Sequence, residues 1–88
     1  MKVTNMISTS GKAIPNQFVV ESEKGKYFQS YKTVIALIPS DGSPVQLDKN
    51  HWNYSSTTSK YRNMFLGETT KQIQEKIIKG EYILTNLT

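Results

Sequence analysis

Asp48, His51 and the serines at 55, 56 and 59 are the residues of this chain that can be drawn together as an acid, a base and a nucleophile. Such a triad would support acyl transfer or hydrolysis, with the carboxylate orienting the imidazole and the imidazole accepting the serine proton. The surrounding pattern argues against it. None of these serines sits in a glycine-flanked nucleophile elbow, and no glycine-rich phosphate loop occurs anywhere. His51 reads more naturally as a loop residue, solvated or bonded to backbone. It is also the sole histidine of a chain without cysteine, and the acidic residues are scattered, so neither a zinc site nor a carboxylate cage for a hard cation can be assembled. The expectation is a protein with no cofactor, no metal and no enzymatic activity.

The segment from His51 to Asn63 is chemically the densest of the chain: Trp52, Tyr54, Tyr61, Lys60, Arg62 and a run of hydroxyls. One reading stacks Trp52 and Tyr54 on bases while Lys60 and Arg62 neutralise phosphate, with amide donors from a hydroxyl-rich helix start. The other uses Trp52 and Tyr61 as core plugs between helix and sheet, because a domain this small needs its large side chains inside. The candidate set for binding a partner or nucleic acid is therefore Tyr31, Trp52, Tyr54, Lys60 and Arg62, with Tyr31 entering through an aromatic strand face shared with Tyr27.

Elements that position these residues follow from local pattern. Residues 2–9 are expected to form an edge strand anchored by Val3 and Ile7, and residues 11–16, which contain Pro15, a loop. Strands are expected over 17–22 and 27–32, joined by a hairpin with Gly25 in the left-handed region. The run Val34-Ile35-Ala36-Leu37-Ile38 is short and β-branched, the mark of a buried strand. A Pro-Ser-Asp-Gly-Ser-Pro turn follows, then a brief strand at 45–47 able to pair back on it. Beyond the hydroxyls at 55–58 the period changes. Tyr61, Met64 and Phe65 make a helical stripe ending at Gly67. Thr69 and Gln72 have capping-box spacing before a second helix, whose apolar stripe is Ile73, Ile77 and Ile78. Strand character returns over 81–87. The sum is one small α+β domain over residues 1–88: an antiparallel β-meander, two short helices and a C-terminal strand.

Composition narrows the function classes. Of the 88 residues, 36% are apolar and 20% charged, and no apolar run is long enough to span a bilayer. Ser, Thr and Asn fill much of the remainder, in part as helix caps. The net charge of +4 is spread equally over the two halves and is carried by ten Lys and one Arg, which is weak evidence for base reading. The N-terminus lacks the apolar stretch of a signal peptide, so the expected location is the cytoplasm. Homo-oligomerisation through the polar N-terminal edge strand is a further expectation.

Two blocks, Ser30-Tyr31-Lys32-Thr33-Val34-Ile35-Ala36 and Tyr54-Ser55-Ser56-Thr57-Thr58-Ser59-Lys60, resemble those of a family of small, functionally uncharacterised phage and prophage proteins. The resemblance runs over about residues 16–84 and takes in Gly80-Glu81-Tyr82. It implies a phage accessory role in the cytoplasm of a bacterial host and supplies no site residues. Two function classes stay open. The first is a non-enzymatic binding protein acting on a host or phage protein, for example as an inhibitor of host defence or replication. The second is a nucleic-acid-binding module using segment 52–62.

Overall fold

The computed structural model describes residues 1–87. Six strands form one sheet in the order of the chain: β1 (Lys2–Ile7), β2 (Ala13–Ser22), β3 (Gly25–Ser30), β4 (Thr33–Pro39), β5 (Gln46–Asp48) and β6 (Ile83–Thr85). The first five are an antiparallel meander. Helices α1 (Ser56–Leu66) and α2 (Thr70–Ile78) lie between β5 and β6, and this crossover is what lets β6 pair with β5 in parallel. The α+β architecture expected from the sequence is the one observed.

The core forms where the helices cover one face of the sheet. Phe28, Ile35, Ala36 and Leu47 meet Ile73 of α2, and Trp52, Tyr61, Phe65, Leu66, Ile77 and Tyr82 pack round them. Phe28 stacks on Phe65 with ring centroids 5.8 Å apart. A bulge between β3 and β4 pairs Phe28 with Ala36 and Gln29 with Val34. Ile35 is the extra residue, and it and Ala36 are both fully buried.

Several local expectations change. β2 begins at Ala13 and runs through Pro15, where a loop was expected. The register against β1 jumps from Asn5↔Phe18 to Ile7↔Ala13, so Pro15 falls in a bulge that asks no ladder hydrogen bond of it. Asn16, at φ 64, makes the bend. β1 is indeed the sheet edge, but Val3 and Ile7 do not anchor it, being 61% and 58% exposed. Met6 packs on the core instead, and Asn5 Nδ2 donates to the Ile14 carbonyl at 2.7 Å. Gly25 is not in the left-handed helical region: its φ is 140, a conformation reserved for glycine. β3 stops at Ser30, so Tyr31 leaves the strand face it was expected to share with Tyr27.

Both helix caps form as the spacing predicts. Ser55 Oγ accepts from the Thr58 amide, Gly67 closes α1 at φ 68, and the Thr69–Gln72 capping box starts α2. The apolar stripes differ. Met64 is exposed, and α1 buries Thr58 and Arg62. Ile73 and Ile77 face the sheet, while Ile78, about 140° round the helix from Ile73, is 84% exposed.

Candidate functional site

The chain leaves β5 at Asp48 and turns sharply. The amides of His51 and Trp52 both donate to the Asp48 carbonyl, at 3.2 and 2.9 Å, which brings the indole back over the core. The Asp48 side chain is fully buried. One carboxylate oxygen meets His51 Nδ1 at 2.5 Å and the other accepts from the Leu87 amide at 2.9 Å. Asp48 thus ties the loop to the segment after β6. Burial pushes its carboxyl up, but the Leu87 amide, the His51 ring and the Asn50 backbone together outweigh burial and hold it below the ordinary value.

A carboxyl depressed in the folded state contributes stability above its unfolded pKa of about 3.9 and loses it as pH falls through the folded value. Urea midpoints followed by the fluorescence of Trp52 are therefore expected to be flat near neutrality and to fall from about pH 5 downward. Asp48→Asn lowers the midpoint at pH 7 and flattens the acid limb. An unchanged acid limb in that variant would remove Asp48 from this role.

The Asp48–His51 pair is two-thirds of the triad drawn from the sequence, but two of the three serines, Ser55 and Ser59, are engaged elsewhere, and Ser56 is exposed on the first turn of α1. Ser55 caps α1, and Ser59 Oγ donates to Asn53 Oδ1 at 3.0 Å. The His51 ring lies edge-on to Tyr54 at 5.2 Å. Among the described residues no cluster of three or more potential metal ligands occurs, and no helix is long and apolar enough to cross a membrane.

Arg62 is where the structure departs furthest from expectation. Placed by sequence among the residues that would face phosphate, it is fully buried. Nη1 donates to the Trp52 carbonyl and, at 3.3 Å, to Asn53 Oδ1. Nε and Nη2 share Asn63 Oδ1 at 3.2 and 2.9 Å, and Nη2 also donates to Thr70 Oγ1 at 2.8 Å. The guanidinium carbon stands 5.2 Å from the centroid of the Trp52 indole. The planar fork joins the 52–53 loop, α1 and the first residue of α2, with carbonyl and hydroxyl oxygens as its acceptors. Burial lowers its pKa from the ordinary value. Asn53, Asn63 and Thr70 were not singled out by sequence reasoning. The available signal was position: Arg62 falls on the same helical face as Thr58, Phe65 and Leu66.

The remaining candidates stay at the surface in separate places. Trp52 packs one side on the core, and with Gln74, Ile77 and Ile78 it lines a shallow cavity of about 280 Å³. Tyr54 is half exposed beside His51. Lys60 is exposed on α1, its ammonium 5.4 Å from the centroid of Tyr61, which itself packs on the core. Tyr31 sits at the tip of the β3–β4 turn at φ 57, exposed, its amide donating to the Asn16 carbonyl at 2.7 Å. The structure brings Trp52 and Arg62 into one unit and links Tyr54 to it through the 51–54 loop. Ile78, assigned by sequence to the buried stripe, joins Trp52 at the surface.

A family model described as a family of unknown function (DUF8033) matches residues 1–81. The chain matches no curated protein and no solved structure.

Proposed function

Because the chain belongs to this family of unknown function, we propose its role from its own surface: a non-enzymatic binding protein that acts on another protein. The observation that carries the reading is the apolar shelf of Trp52, Ile77 and Ile78 on the helix side, with Ile78 84% exposed. An isoleucine left in water beside a tryptophan forgoes about 1.5–3 kcal/mol of burial, which a partner's apolar surface recovers. Tryptophan-centred patches of this kind are where binding energy concentrates in interfaces. Further support is chemical: Ser55 and Ser59 are committed to a cap and to Asn53, and Arg62 is withdrawn from solvent. The resemblance of the 30–36 and 54–60 blocks to phage proteins favours a host or phage target met in the bacterial cytoplasm, such as a defence or replication component.

Affinity purification from a bacterial host, after nuclease treatment, tests the reading. The expected result is a protein retained by the wild type and reduced at least about tenfold by Ile78→Asp, since a charge at a desolvated apolar contact costs more than the roughly 1.4 kcal/mol of one decade. Ile78 is exposed, so the fold tolerates the change. Recovery only without nuclease, weakening steeply between about 50 and 200 mM salt, would support nucleic acid as the partner instead.

A further inference from the structure

Strand alternation gives the sheet a second face, turned away from the helices. Following the register from edge to edge, Val3 pairs with Val20, Val20 with Tyr27, Tyr27 with Leu37, Leu37 with Gln46 and Gln46 with Ile83. This row has the opposite parity to Phe28, Ala36 and Leu47, which face the helices. It crosses all six strands, and Gln46 is its one polar member. The neighbouring row, Asn5, Phe18, Gln29 and Val34, is also uncharged. The strand charges Lys2, Glu21 and Lys26 align in a single row of the other parity, and Asp48, which shares the parity of Gln46, is fully buried and adds no charge to the surface of this face. Met1, Val20 and Tyr27 line an open cavity of about 530 Å³ on this face, bordered by Ser22, Glu23 and Lys24 of the β2–β3 hairpin.

We propose that a second copy of this chain covers this face, sheet against sheet, about a two-fold axis. Two molecules of net charge +4 repel, and a charge-free face is where they approach at least cost. The rim allows self-complementarity: Glu23 and Lys24 are adjacent and opposite in sign, and a two-fold that passes beside the hairpin sets Glu23 of each copy against Lys24 of the other. The area suffices. Strands of six, ten, six, seven, three and three residues, at about 3.3 Å per residue and about 4.8 Å between strands, offer on the order of 500 Å² per copy. Together that reaches the roughly 1,000 Å² a specific interface needs. Sheets stacked in this way lie about 10 Å apart with their side chains interdigitated.

Light scattering on size-exclusion fractions reads the result directly. At about 100 µM the wild type is expected at twice its 10.0 kDa chain mass. Val20→Lys is expected at the monomer mass, with far-ultraviolet dichroism unchanged. Val3→Glu, at a 61% exposed position the fold tolerates, is expected to weaken the dimer at least about tenfold. Glu23→Lys and Lys24→Glu each weaken it, and the double exchange restores it. Ile78→Asp, on the helix side, leaves the dimer intact, so the fate of this inference is separable from that of the proposed function. A wild type that stays monomeric at that concentration overturns the inference and leaves the face to another protein. A dimer that survives both Val20→Lys and Val3→Glu overturns it too, and a double exchange that fails to restore association overturns the two-fold pairing of the rim.

Discussion

Arg62→Lys is expected to lower the thermal midpoint by about 10–20 °C while keeping the charge. The guanidinium reaches the Trp52 carbonyl, Asn53, Asn63 and Thr70 because five N–H groups radiate in one plane. A lysine ammonium places three donors on a single atom and cannot reach the loop, α1 and α2 at once. Asn53 Oδ1 and Thr70 Oγ1 keep donors in Ser59 Oγ and Asn63 Nδ2. Of the Trp52 carbonyl and Asn63 Oδ1, the one the ammonium misses is left without a donor, at about 1–3 kcal/mol, and the charge-assisted bonds of the fork are lost besides. A loss of about 2–4 kcal/mol is large against the roughly 5–15 kcal/mol that holds a domain together, and each kcal/mol moves the midpoint of an 88-residue chain by about 4–8 °C. Arg62→Ala loses more, because it opens a cavity under the Trp52 indole as well. Arg62→Met restores packing and removes the buried charge but not the hydrogen bonds, so it falls between wild type and Ala. Thermal melts followed by circular dichroism at neutral pH order the series. An Arg62→Lys melt within about 2 °C of wild type would show that the clamp contributes little. The series also separates the two roles argued for this residue, since a phosphate contact would leave the melt untouched.

Arg62 shows why part of this molecule is legible in sequence and part is not. The capping box of Thr69 and Gln72, the stop at Gly67 and the buried run at 34–38 depend on neighbours within a few residues, and each is found where local pattern places it. Arg62 depends on a loop ten residues earlier and a helix start eight residues later, so its burial is a property of how three segments meet. Pro15 misleads for a related reason. Its penalty in a strand assumes a regular ladder, and the bulge opposite Met6 removes the bond it would have broken. Ile78 and Ile77 differ by one position of a 100° helix step, enough to put one on the core and the other in water. Val3 belongs to a row whose apolar character becomes visible only when the register of all six strands is known. Covered and uncovered faces are decided by pairing across the whole chain, and the candidate surfaces lie on the uncovered ones.

Gly25→Ala is expected to be the most damaging change of a single methyl group in the chain. At φ 140 the residue occupies backbone space that an L side chain enters only under strain, about 1–3 kcal/mol. The crowding is independent of that. A β-carbon at this position lies 2.1 Å from the Ile38 carbonyl oxygen and 2.9 Å from Pro39 Cα and the Ser40 nitrogen. All three are backbone, so no side chain can swing aside, and β4 must move. Movement breaks the Gly25↔Pro39 register and the Ser40 amide's 2.9 Å bond to the Lys24 carbonyl. Overpacking of this kind costs a further 1–3 kcal/mol or so. A total of about 2–6 kcal/mol lowers the midpoint by about 10–45 °C. Gly42→Ala is the matched control: its φ is 81 and its β-carbon would meet nothing within 4 Å, so it shows the cost of positive φ without the clash. The difference between the two melts reports the close approach of β3 to β4 together with the extra torsional strain of φ 140 over φ 81. If they fall together, the strain is purely torsional and the hairpin has room that the backbone contacts deny. The same contact sets the β2–β3 hairpin, Glu23 and Lys24 included, against the end of β4. In variants that remain folded, Gly25→Ala is therefore expected to disturb the rim of the open face before it disturbs the helix side.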